Sequence, residues 1–135
     1  MIPSTMKAAR IHARGAAHFQ IEVLPTPKPG PGQVLIRVEA AGVNFSDVKR
    51  RRGDVYPFAT EFPYVPGSEI AGTVVAHGSG IDGPPIALGE LIEDVVARRI
   101  RVPAIQTLPL DEATRAHALL EARKVAGKLV IKPWA

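Results

Sequence analysis

Residues 33–56 read QVLIRVEAAGVNFSDVKRRRGDVY, and this run decides how the chain is organised. From Gln33 to Ala41, Val34, Ile36, Val38 and Ala40 share one face, while Arg37 and Glu39 lie on the other. Alternation with period two is the mark of a half-buried strand. Gly42 breaks the pattern, Ser46 to Arg52 has room for two helical turns, and Gly53 supplies a C-terminal stop. Asn44, Asp47, Lys49 and Tyr56 therefore fall where a strand gives way to a short helix and then a loop. A rigid strand can hold polar side chains there so that they face a cleft.

On either side the chain stays mostly β. Met6–Ile11 and Phe19–Leu24 read as strands, and the proline- and glycine-rich run from Pro25 to Gly32 reads as a loop. Ile70–His77 is a further strand, with Gly72 inside it as a bulge or a close approach. From Leu91 the texture becomes helical, with Glu90, Glu93 and Asp94 ahead of Arg98 and Arg99, the order a helix dipole favours. Val102–Leu108 is a short strand interrupted by Pro103. Asp111–Arg123 is the clearest helix, carrying Ala113, Ala116, His117 and Leu120 on one stripe, and Lys128–Lys132 is the final strand. The expected fold class is mainly β with flanking helices (α+β).

The chain has 135 residues, one ordinary domain, with 46% hydrophobic residues, 13 Pro and 12 Gly. With no cysteine, disulfide scaffolds and thiolate-bound metals are excluded. No run reaches the length of a membrane span, and no signal-peptide pattern opens the chain, so a cytoplasmic, non-membrane protein is expected. The net charge of +4 is concentrated in Lys49–Arg52 and in Arg98, Arg99 and Arg101. Neither basic cluster is interleaved with aromatic residues, as base stacking would need, which argues against nucleic acid as a partner. The four histidines, His12, His18, His77 and His117, are scattered, and no metal site is expected.

One motif misleads. Gly78-Ser79-Gly80-Ile81-Asp82-Gly83 matches G-x-G-x-x-G and follows a strand. A dinucleotide fingerprint also needs a helix opening at that point and an acidic residue about twenty positions on. Here Pro84-Pro85 follows at once, and no Asp or Glu occurs in residues 95–110. The reading is a glycine turn.

Three segments carry a resemblance. AAGVNFSDV at 40–48, GDVYP at 53–57 and PGSEIAGTV at 66–74 resemble the medium-chain dehydrogenase/reductase family, and within it the zinc-independent quinone reductases and enoyl reductases. The proline-rich run into Val38 is similar to the same family, as are LPLDEA at 108–113, AHALLE at 116–121 and AGKLVIKP at 126–133. The resemblance implies a GroES-like, partly open barrel in two sequence parts, 1–85 and 91–135, joined at 86–90; the family's Rossmann domain, which lies between these parts, and two adjoining strands of the catalytic domain are expected to be missing here. It implies NADPH as cofactor, a small quinone- or enone-type substrate, and no zinc. Zinc-dependent members carry Cys where Asn44 stands and His where Ser68 stands, and Asn and Ser are poor zinc ligands.

By resemblance, Asn44 and Lys128 border the cofactor. Asp47, Lys49 and Tyr56 border the substrate, with Tyr56 the candidate proton donor. Turn formation at Asn44 and Asp47, loop anchoring at Tyr56 and a solvated basic run at Lys49 are the plain structural readings of the same residues. Three roles stay open: a reductase completed by a separate nucleotide-binding domain, a non-redox enzyme or binder reusing the cleft, and an inactive fragment. Missing strands would leave sheet edges and apolar faces uncovered, so a homo-oligomer is expected.

Overall fold

The computed structural model describes residues 1–54, 60–81, 96–97 and 102–134. The junction at 86–90, most of the helix expected from Leu91, the loop bearing Tyr56 and the end of the glycine motif lie outside the described residues. Two sheets form. In the first, β1 (Thr5–Arg10) pairs antiparallel with β2 (Gln20–Pro25), Thr5 opposite Pro25 and Arg10 opposite Gln20. The second has four strands in the order β4-β3-β6-β5, with β3 spanning Val34–Val43, β4 Glu69–His77, β5 Ile105–Pro109 and β6 Lys128–Lys132. The mainly β fold with flanking helices is present, as open sheets with no closed barrel among the described residues.

The long strand β3 is the spine of the second sheet. Along one edge it pairs antiparallel with β4, and at its C-terminal end Ala41, Gly42 and Val43 pair with Ile131, Val130 and Leu129 of β6. Two register shifts interrupt the β3–β4 ladder, between Leu35 and Ile36 and between Val38 and Ala40. Gly72 lies opposite Val38, where a Cβ would run into the carbonyl oxygen of Arg37. The close approach expected of this glycine is what the ladder requires. β5 joins β6 in parallel, which needs a crossover, and helix α2 (Ala113–Glu121) provides it after a 3₁₀ turn at Leu110–Glu112.

The core lies between α2 and the β5–β6–β3 end of the sheet. Val43, Leu108, Ala116, Leu129 and Ile131 form its buried centre, with Ala41, Leu110, Leu119, Leu120 and Val125 packed around it. Leu129 is only 1% exposed, and full burial of a leucine contributes roughly 2 kcal/mol from apolar area alone. Helix α1 (Phe45–Arg52) leaves the sheet directly after β3. It buries Asp47, Val48 and Arg51 and ends at Gly53, whose φ of +79° is the left-handed conformation of a C-terminal stop. At the other end of β1, Ile11 is fully buried and exchanges two backbone hydrogen bonds of 3.0 Å with Tyr64. This bridge fixes the first sheet to the loop that leads into β4.

Candidate functional site

The end of β3, the start of α1, the start of β4 and the start of β6 converge on one spot. Asn44 sits at the N-cap of α1 in an extended conformation, which turns its side chain out of the strand. Asp47, in the first turn, reaches back and accepts a hydrogen bond from the Asn44 backbone N–H at 2.9 Å. Asp47 is buried, and desolvation, the largest influence, raises its carboxyl above the ordinary value; the Asn44 N–H works in the opposite direction. The backbone of Asn44 is thus tied down from inside the helix.

Its side chain is held from the sheet. Lys128 Nζ donates to Asn44 Oδ1 at 2.7 Å and to Glu69 Oε2 at 2.5 Å. The influence of Lys128 first and Asn44 second holds Glu69 below its ordinary pKa. Gly42 makes the cluster possible. Gly42 lies opposite Glu69, and a Cβ there would come within 2.6 Å of Glu69 Oε2 and 3.0 Å of Lys128 Cε. An ammonium, a carboxylate and a primary amide therefore share one open position on the sheet, with donors and acceptors of both signs.

The structure brings Asn44 and Lys128 together across 84 positions of sequence, and sets Asp47 directly beneath Asn44. Lys49 stands apart, exposed on α1, with its ammonium 5.9 Å from the centre of the Phe45 ring. Tyr56 lies outside the described residues. Sequence reasoning did not single out Glu69 as a site residue, although it lies in the quoted PGSE motif. Its signal is the pairing of Glu69 with Gly42, visible only once the β3–β4 register is known. A second tyrosine, Tyr64, has a buried hydroxyl with no partner among the described residues, and burial raises its pKa. Its ring lies under the Arg50 guanidinium, 5.1 Å away.

The basic run is not a uniformly solvated face. Arg51 is buried, donating to Ala16 O and Glu121 Oε1, both at 2.5 Å. His117 is a core histidine, packed edge-on against Phe19 with ring centres 4.7 Å apart. The glycine motif closes a turn. The Gly78 N–H donates to Gln33 O, the Gly32 N–H to Ser79 O, and a Cβ on Gly78 would strike the Gly30 carbonyl. Among the described residues no group of three or more His, Cys, Asp or Glu is placed to hold a metal, and no helix is long and apolar enough to cross a membrane.

Residues 30–104 match the model of the alcohol dehydrogenase GroES-like domain. The chain is 38% identical over 90 residues to a synaptic vesicle membrane protein VAT-1 homolog of Rattus norvegicus, covering 64% of this chain and 22% of that protein. It is 41% identical over 68 residues to the chloroplastic quinone-oxidoreductase QR1 of Triphysaria versicolor, covering 50% and 21%. Among solved structures, an acetophenone reductase from Geotrichum candidum in complex with NAD superposes with a TM-score of 0.53 at 40% identity, covering 61% of this chain and 23% of that one. The chain spans about a fifth of the length of the curated relatives it matches.

Proposed function

Because this chain belongs to the alcohol dehydrogenase GroES-like domain family, we propose that it is the substrate-side module of a zinc-independent NAD(P)H-dependent reductase of quinones or enones. Its nucleotide-binding part would come from another chain or from another part of the same protein. The observation that carries this reading is the Asn44–Lys128 contact at 2.7 Å, which joins the two residues that the resemblance assigns to the cofactor.

The residues suit the group they would hold. The Asn44 amide offers a donor and an acceptor, as a carboxamide such as that of nicotinamide requires, and Lys128 offers a positive charge for an anionic portion of the cofactor. A bound nicotinamide would supply the hydride. The chain's own contribution is orientation. Asp47 fixes the Asn44 backbone, Lys128 fixes its amide, and Gly42 leaves room for the Glu69 and Lys128 side chains. Lys49, on the exposed face of α1, is available to an anionic group of the substrate, and Tyr56 is the proton donor in this reading. Asn and Ser at positions 44 and 68 support zinc independence.

We also assign the chain to a homo-oligomer. Nearly all of β4 is exposed, with Ile70 at 53% and Val74 at 42%, and such an edge invites association. Light scattering at high concentration giving a clean monomer would remove this part of the reading. The activity is tested by titrating the chain calorimetrically with NADPH, alone and with the nucleotide-binding domain of a related quinone reductase added. NADPH oxidation driven by a quinone or an enone in the mixture is the expected result. The absence of both heat and turnover under every combination would overturn the proposal.

A further inference from the structure

The ion pair between Lys128 and Glu69 has the form of a ligand complex. The Glu69 carboxylate accepts from Lys128 Nζ, which also donates to Asn44 Oδ1, over a glycine whose missing side chain leaves the space. Yet the Glu69 side chain is 55% exposed and that of Lys128 31%, so water competes for both partners. An exposed pair of this kind holds weakly, and holding two long side chains in one geometry offsets much of the attraction. An ammonium anchored on Asn44, with a loosely held carboxylate against it, describes an anion subsite occupied from within.

We propose that Lys128, held in place by Asn44 Oδ1, forms an oxyanion-binding subsite, and that Glu69 is its displaceable internal occupant, which a ligand phosphate or carboxylate must expel in order to bind. The proposal rests on the cleft reading above and adds a gate to it. Glu69 lowers the affinity of the empty cleft for any oxyanion, because it both occupies the Lys128 ammonium and repels a second negative charge. A ligand that engages the cleft elsewhere as well overcomes this competition, whereas a bare oxyanion binds poorly. Glu69 would thus set selectivity against small cellular anions.

The test uses the full chain with inorganic pyrophosphate and with succinate as probes, followed by calorimetry and by the amide shifts of the Asn44 side chain. Glu69→Gln keeps the size and one acceptor oxygen but removes the charge. It is expected to bind a probe about three- to tenfold more tightly than the unaltered chain, and Lys128→Gln is expected to abolish that gain. A gain for pyrophosphate identifies a diphosphate of the cofactor type as the displacing group; a gain for succinate identifies a substrate carboxylate. Glu69→Asp, which draws the carboxylate back by one methylene, provides a second variant with a smaller gain. If the pair is only a strap between β4 and β6, both variants lose thermal stability and neither gains affinity, and the proposal falls. Turnover with NADPH does not enter these measurements, so a failure of the reductase reading is scored separately.

Discussion

Arg51 and Glu121 form an ion pair at 2.5 Å between the last turn of α1 and the last residue of α2, seventy positions apart in sequence. The Arg51 side chain is 7% exposed and also caps the carbonyl of Ala16, whose neighbour Gly15 donates its N–H to Arg51 O. One buried guanidinium thus fastens two helices and the loop between β1 and β2. The fork of donors is essential, since the two acceptors lie on different elements.

Removing that guanidinium leaves the Ala16 carbonyl and the Glu121 carboxylate short of a partner. Arg51→Ala should destabilise the chain by about 3 kcal/mol, read as a lowered urea midpoint. Arg51→Lys should recover little of this, because an ammonium cannot present the fork.

His117 should make stability depend on pH in the acid range. Burial first, and the Arg51 charge second, push its pKa down to about 4. The unfolded chain, with histidine near its ordinary value of about 6.5, then binds more protons between those limits. The contribution is fully present above about pH 6.5 and is lost as pH falls toward 4. It amounts to roughly 3 kcal/mol at pH 7. Urea midpoints of His117→Phe should be flatter over this window than those of the unaltered chain; equal slopes would count against the assignment.

Asp47 should act with the opposite sign. Its folded carboxyl lies above the unfolded value, so the folded state is the better proton binder. Stability from this group is complete below about pH 4 and declines as pH rises through the raised folded value. Asp47→Asn, which keeps an acceptor for the Asn44 N–H, should gain on the unaltered chain as pH is raised from about 3.5 toward neutrality. Denaturant midpoints at both ends of that range decide it.

Two glycines should respond differently to alanine. At Gly42 the obstructing atoms are the ends of Glu69 and Lys128, which can swing away, so Gly42→Ala should cost about 1 kcal/mol while breaking the Lys128–Asn44–Glu69 cluster. At Gly72 the obstruction is the backbone carbonyl of Arg37, which cannot move without disturbing the β3–β4 ladder. Gly72→Ala should cost about 2–3 kcal/mol. Thermal melts together with the chemical shift of the Lys128 ammonium separate the two effects.

The strands β1 to β4 and β6 and the helix starting near Asn44 were legible because each carries its own local signal. The strands show alternation or a short apolar run, the helix a glycine stop at Gly53, and the connections prolines and glycines. The β5 strand was expected from Val102 but begins at Ile105, after Pro103, a residue that cannot donate to a ladder. Trp134 carried no sequence signal, yet its indole N–H donates to Val38 O at 2.6 Å, beyond the point where Pro133 ends β6.

By itself, then, the sequence determined the element types, the turn at the glycine motif and the family likeness, because periodicity and backbone preference act over a few neighbouring residues. Only the tertiary structure decided that Glu69 joins Asn44 and Lys128, that Arg51 turns inward from a basic run, and that Asp47 serves the Asn44 backbone. These depend on strand register and helix packing. A displacement of one residue in the β3–β4 ladder would carry Glu69 to the opposite face of the sheet and leave Lys128 without its carboxylate.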